Sequence, residues 1–119
     1  MERVTGIGGL FFRAMEPERL AAWYEVHLGI DQVPKSYGGQ VWRQRSGPTA
    51  FAPVPPDATP MQGWSVNFRV DDLDAMVAQL RAAGIEVDVD QEDYPNGRFA
   101  SLHDPEGNAV QLWEPSEPG

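Results

Sequence analysis

Residues 7–14 (IGGLFFRA) are rich in β-forming types and close at Met15-Glu16-Pro17, which predicts a strand followed by a break. Pro17 suits the first turn of a helix, where a missing N–H is no loss. Leu20, Trp23, Tyr24, His27 and Leu28 then fall at i, i+3, i+4, i+7 and i+8, one apolar stripe of helical period, and Gly29 is placed to end it. Residues 40–46 (QVWRQRS) and 49–54 (TAFAPV) predict two more strands joined through Ser46-Gly47-Pro48, with a short one near 31–34. Pro53, Pro55, Pro56 and Pro60 make a stiff connector.

The same order returns in the second half. Residues 64–70 (WSVNFRV) predict a strand, and Asp71 or Asp72 can cap the helix after it. Leu73, Met76, Val77 and Leu80 form that helix's apolar stripe, and Gly84 closes it. Residues 85–89, 98–103 and 109–113 predict three further strands, the last two joined by the turn Asp104-Pro105-Glu106-Gly107-Asn108. The pattern is βαβββ, connector, βαβββ. Residues repeat as well as elements: Phe12-Arg13 returns as Phe68-Arg69, and Gly29-Ile30 as Gly84-Ile85. The Gly47 and Gly107 turns correspond, which sets Phe51 against Gln111 and Pro55 against Pro115. A period of about 56–60 residues is too long for a solenoid, and two copies are too few for a stacked array. Two pseudo-symmetric halves sharing one site fit it better.

A chain of 119 residues makes one compact domain with a real core. There is no cysteine, so disulfides, thiolate metal sites and cysteine nucleophiles are excluded. No apolar run approaches the roughly 20 residues needed to cross a membrane. Met1-Glu2-Arg3 does not open in the basic-then-apolar order of a secretion leader, so a cytoplasmic protein is expected. The net charge of −9 is uneven: residues 1–62 hold six acids and six bases, residues 63–119 twelve acids and three bases. Such a surface repels phosphate backbones, which argues against nucleic-acid binding. It steers cationic ligands or simply maintains solubility.

Three stretches carry a resemblance. Trp23-Tyr24 followed by Leu28-Gly29-Ile30 is similar to a family pattern "FY…LGF". Val70-Asp71-Asp72-Leu73 with Leu80-Arg81-Ala82-Ala83-Gly84-Ile85 is similar to "VDDLDAAVARLRAAG". DPEGN followed by Val110-Gln111-Leu112-Trp113-Glu114 is similar to "DPDGNxxELxE". In this order, over essentially the whole chain, they resemble the glyoxalase/bleomycin-resistance (vicinal oxygen chelate) superfamily. The resemblance implies an α+β fold: two βαβββ modules, about 4–56 and 63–115, in one domain, curling as a mixed sheet into a half-open barrel around a ligand cavity. It also implies a homodimer.

In the metal-dependent relatives the first and last strands of each module supply the ligands, usually His or Glu. Carried over, these positions are Gly9, Phe51, Ser65 and Gln111. Glycine and phenylalanine have no ligating group, and serine and glutamine are poor neutral donors beside imidazole or carboxylate. No His or Glu lies within two positions of any of the four. His27 sits on the apolar stripe of the first helix and His103 before the DPEGN turn, where packed and surface roles are expected. No metal and no cofactor are therefore expected.

Side chains alternate along strands. If the ligand positions face the cavity, Gly9, Phe11 and Arg13, then Ser65, Asn67 and Arg69, then Ala109, Gln111 and Trp113 line it, with Phe51. Leu10, Phe12, Val66, Phe68, Val110 and Leu112 face the helices. The expected ligand-binding residues are Phe11, Arg13, Phe51, Ser65, Asn67, Arg69, Gln111 and Trp113, a set that suits a flat, partly apolar small molecule. Arg13 and Arg69 either meet one anionic group together or pair with nearby acids such as Glu16 and Asp71. Trp42, Tyr94 and Phe99 are open as further wall residues, and residues 92–97 as either lid or ordinary connection. The function expected is small-molecule binding without turnover. Three alternatives stand beside it: a lyase or dioxygenase of the same superfamily with displaced metal ligands, a metal-free isomerase, and an accessory dimer with an unused cavity. No catalytic residue is assigned.

Overall fold

The computed structural model describes residues 1–3, 6–57 and 64–116. Val4, Gly63 and Pro60, the expected module limits and one connector proline, lie outside them. The elements in chain order are α1 (Pro17–Leu28), β1 (Val66–Arg69), α2 (Leu73–Ala82), β2 (Asp88–Val89), β3 (Gly97–His103) and β4 (Ala109–Pro115).

Both helices end as the sequence predicts. Pro17 stands at the start of α1, and Gly29 takes the left-handed conformation (φ 71°), its N–H donating to the carbonyl of Glu25. The N-terminus of α1 has no side-chain cap of its own from Glu16. Glu106, from the DPEGN turn, anchors the lead-in instead: its carboxylate accepts the N–H groups of Met15 (2.7 Å) and Glu16 (3.0 Å). At α2, Asp72 caps the Ala75 N–H, and Glu114 of β4 accepts the Leu73 N–H at 2.8 Å. At or just before each helix start, backbone amides are thus held by a carboxylate distant in sequence.

The four strands form one mixed, curved, unclosed sheet in the order β1-β4-β3-β2. β1 runs parallel to β4, with Asn67 opposite Gln111 and Arg69 opposite Trp113. β3 is antiparallel to β4, with Phe99 opposite Trp113 and Ser101 opposite Gln111. Alternation then sorts the side chains. Ala100, Leu102, Val110 and Leu112 are buried against Leu20 and Tyr24 of α1 and Leu73, Val77 and Leu80 of α2. Val66 and Phe68 pack onto the same cluster, as does Trp23. Both helices lie on this face, and the opposite face is left open.

The second βαβββ run is present in full. In the first, α1 forms, but 7–14, 31–34, 40–46 and 49–54, each expected to hold a strand, carry no sheet ladder. A strand is held by its neighbours, and local β preference has nothing to act on where no partner lies alongside. The side chains show the same lack of cover. Every large hydrophobic that is exposed among the described residues belongs to residues 1–54, including Phe11, Phe51, Val41 and Val54. A trace of alternation survives next to α1: Phe12 meets the rings of Tyr24 and Trp64, at 6.3 and 4.8 Å, and is 36% exposed against 90% for Phe11. Leu10, expected in the core, is 52% exposed because no strand carries it inward.

The DPEGN turn is one place where the two halves join. Tyr24 Oη donates to Asp104 Oδ2 at 2.6 Å, both residues buried. Burial, with the bond to this carboxylate, pushes the Tyr24 phenol far above its ordinary value. Asp104 also accepts the N–H groups of Glu106 and Asn108 and the Asn108 side-chain amide, so no lone pair of this buried acid faces apolar surroundings unpaired.

Candidate functional site

The open face of the sheet gathers four of the expected ligand-binding residues. β1 contributes Asn67 and Arg69; β4 contributes Gln111 and Trp113. Ser65, one residue before β1, is exposed and continues the same alternation. Phe11, Arg13 and Phe51 are exposed too, but among the described residues they make no hydrogen bond or ion pair, and neither phenylalanine stacks on another ring.

Asn67 and Gln111, opposite one another across the parallel ladder, are joined side chain to side chain: Asn67 Nδ2 donates to Gln111 Oε1 at 2.7 Å. One residue pair along, Trp113 lies beside Phe99 of β3, the two rings nearly parallel (4°) with centroids 6.2 Å apart. Tyr94 meets Phe99 edge-on at 5.8 Å. Phe99 and Tyr94, whose facing the sequence left open, thus extend the aromatic wall. Phe99 was within reach of sequence reasoning, because apolar Ala100 and Leu102 fix the parity of β3.

Trp113 is held in place. Its Nε1 donates to the carbonyl of Asn96 at 2.8 Å, and the indole crosses Gly97. Gly97 has φ 133°, and a Cβ there would collide with the Glu114 carbonyl oxygen and approach Trp113 Nε1 to 2.8 Å. Only glycine allows both the turn and the indole. Residues 92–97 are likewise tied down. Tyr94 and Gly97 bond each other's backbones, Tyr94 Oη donates to Asp90, and Ser116 donates to the carbonyls of Pro95 and Asn96. That favours a fixed connection over a lid.

Arg69 points along the same face but spends its donors on the chain: Nη1 to the carbonyl of Pro48 (2.8 Å) and to Thr49 Oγ1 (3.2 Å), Nη2 to the carbonyl of Arg45 (2.7 Å). The acids expected to pair with the two arginines are engaged otherwise. Glu16 approaches Arg19, and Asp71 binds Arg45 at 2.6 Å.

Among the described residues no group of three or more His, Asp or Glu side chains is arranged to hold a metal ion, and Gln111 Oε1 is already an acceptor for Asn67. Beside the DPEGN turn, a shallow cleft of about 300 Å³ is lined by Trp23, Ile85, Glu86, His103, Asp104 and Pro105. His103 sits there, at the end of β3, while His27 stacks against Trp23 on α1. No helix among the described residues is long and apolar enough to cross a membrane.

The family model of the glyoxalase-like domain matches residues 9–113. The chain belongs to the glyoxalase-like family. Within it, the chain is 30% identical over 106 residues to a protein given the provisional name glyoxylase CFP32 in Mycobacterium bovis and Mycobacterium tuberculosis. The match takes in 85% of this chain and 41% of that protein, so the chain spans about two-fifths of the length of the curated relatives it matches. Among solved structures, TnmS3, an antibiotic-binding protein from Streptomyces sp. CB03234, superposes with TM-score 0.67 at 23% identity, over 98% of this chain and 100% of that one. Lactoylglutathione lyase from Agrobacterium tumefaciens superposes with TM-score 0.53 at 24% identity, over 82% and 84%. At these identities the glyoxalase-like fold is what is shared. One neighbour binds a drug and the other is named for catalysis, so the fold leaves the choice to the site.

Proposed function

We propose that this glyoxalase-like protein binds a small aromatic molecule on the open face of its sheet, without a metal and without turnover. The observation that carries the reading is the parallel Trp113–Phe99 pair beside the Asn67–Gln111 amides. Aromatic faces supply area for stacking and a few fixed polar groups set orientation. Gly9, Phe51, Ser65 and Gln111 do not make a ligand set for a catalytic divalent ion. In this reading Ser65, Asn67, Gln111 and Trp113 touch the ligand. Arg69 shapes the wall by holding residues 45–49. Phe11, Arg13 and Phe51 reach the ligand once the first half is covered.

That cover is a second copy of the chain, in the cytoplasm. The exposed hydrophobics of residues 1–54 are the surface a homodimer would bury. Light scattering at micromolar concentration should return twice the 13.2 kDa of one chain; a monomer there refutes the assembly.

The binding reading is tested by melting the chelator-treated protein against Ni, Co, Zn, Mn and Fe(II), then against planar aromatics. A ligand at about 100 times its Kd adds roughly 2.7 kcal/mol, a rise of several degrees. The rise is expected with an aromatic, lost in Trp113→Ala, and absent with the metals. A saturable rise with one metal would overturn the reading and restore metal-dependent lyase or dioxygenase chemistry.

A further inference from the structure

Resting on that reading, we infer that the Asn67–Gln111 pair selects ligands whose aromatic ring carries an N–H and a C=O side by side, as in a lactam or imide edge. A primary amide offers one acceptor oxygen and two N–H donors. The bond between these two residues uses one N–H of Asn67 and one lone pair of Gln111 Oε1. Among the described residues neither side chain makes another hydrogen bond. Asn67 Oδ1 therefore remains as an acceptor and Gln111 Nε2 as a donor, on neighbouring strands and both on exposed residues. A cis N–H/C=O edge satisfies both at once: its N–H donates to Asn67 Oδ1 and its C=O accepts from Gln111 Nε2.

The spacing suits the ring that bears such an edge. Gln111 and Trp113 are two residues apart on β4, roughly 6.8 Å of strand rise, about the span of a fused two-ring system. A bicycle stacked on Trp113 thus carries its polar edge over the amide pair. The mutual bond between the amides fixes both side chains in advance, so little rotamer freedom is lost when the ligand arrives. The surroundings reinforce the choice of a neutral edge. Arg69, the nearest cation on β1, is committed to the chain at 45–49, and the amides carry no charge to balance a carboxylate.

The test uses the intact chain and three probes of one shape: 2-quinolinone, N-methyl-2-quinolinone and quinoline, their affinities measured by calorimetry. The first has both halves of the edge, the second only the acceptor, the third neither. In the wild type 2-quinolinone is expected to bind roughly tenfold tighter than its N-methyl analogue. Asn67→Leu and Gln111→Leu should erase that preference, bringing 2-quinolinone to within about twofold of its N-methyl analogue. Trp113→Ala should weaken all three together. Equal affinity of 2-quinolinone and its N-methyl analogue, with all binding still dependent on Trp113, overturns the inference and leaves the aromatic site standing. Failure of every probe, or binding unaffected by Trp113→Ala, overturns the aromatic site and the inference with it.

Discussion

Replacing Tyr24 by phenylalanine removes one hydroxyl and keeps the ring that packs against Phe12, Trp23 and Phe68. That hydroxyl donates to Asp104 at 2.6 Å, with Tyr24 7% and Asp104 4% exposed. A hydrogen bond to a charged group contributes about 1.5–3 kcal/mol net. Asp104 keeps three other donors, so the carboxylate is not stranded and the loss falls at the lower end, about 1.5–2 kcal/mol. At roughly 3–6 °C per kcal/mol for a domain of this size, the melting temperature drops by about 5–12 °C. A second signature is alkaline. The folded Tyr24 holds its proton above the ordinary phenol value of 10.0, where the unfolded chain has released it. The contribution is therefore whole below that pH and declines as pH rises past it, and in Tyr24→Phe the decline is shallower. The control is Tyr94→Phe, which removes a hydroxyl bonded to Asp90 at 2.8 Å in contact with water and should stay close to wild type at neutral pH. Urea denaturation of all three proteins decides it. A loss below about 0.5 kcal/mol in Tyr24→Phe, or one no larger than in Tyr94→Phe, refutes the argument that burial sets the worth of this bond.

Other perturbations follow from the same contacts. Glu106→Ala leaves the Met15 and Glu16 amides without their acceptor, which should cost about 1 kcal/mol and speed hydrogen exchange at both residues; unchanged exchange there would rule out the anchor. Arg69→Ala frees residues 45–49 from three hydrogen bonds, so trypsin should cut sooner after Arg43 or Arg45 while amide exchange in α2 stays as it was. A cut pattern identical to wild type would show that Arg69 does not hold the segment. Arg98, by a hydrogen bond at 3.0 Å and by its charge, holds Asp74 below the usual carboxylate range. That contribution is present above the unfolded carboxylate's pKa and is lost as pH falls through the lower folded value. Asp74→Asn should therefore narrow the gap between urea midpoints at pH 7 and in acid, and a gap as wide as wild type would count against the pair.

What was legible in the sequence was local. The stripes of α1 and α2, the left-handed Gly29, the Asp72 cap and the second-half strands all rest on neighbours within a few residues. Parity, anchored on the positions carried over from the family resemblance, put Asn67, Arg69, Gln111 and Trp113 on one face. The rest depended on contacts far apart in the chain. Whether 7–14 or 40–46 joins a sheet turns on a partner strand that no local pattern supplies. Arg69 was weighed against Asp71 because the two are close in sequence, but backbone carbonyls at 45 and 48 hold it instead, and these leave no mark in a charge pattern. Nothing in the sequence ties Glu106 and Glu114 to the helix starts they serve, which lie 90 and 41 residues away.

The Tyr24–Asp104 bond spans 80 residues, which sets an order of events at the ribosome. At 5–20 residues per second, α1 waits about 4–16 s after its own synthesis before Asp104 is made. During that interval the helix has neither the turn that anchors its tyrosine nor the carboxylate that holds the amides leading into it. The N-terminal half, which carries the exposed large hydrophobics, is made first and waits for these contacts, so the nascent chain has most need of a chaperone while its acidic half is still being made.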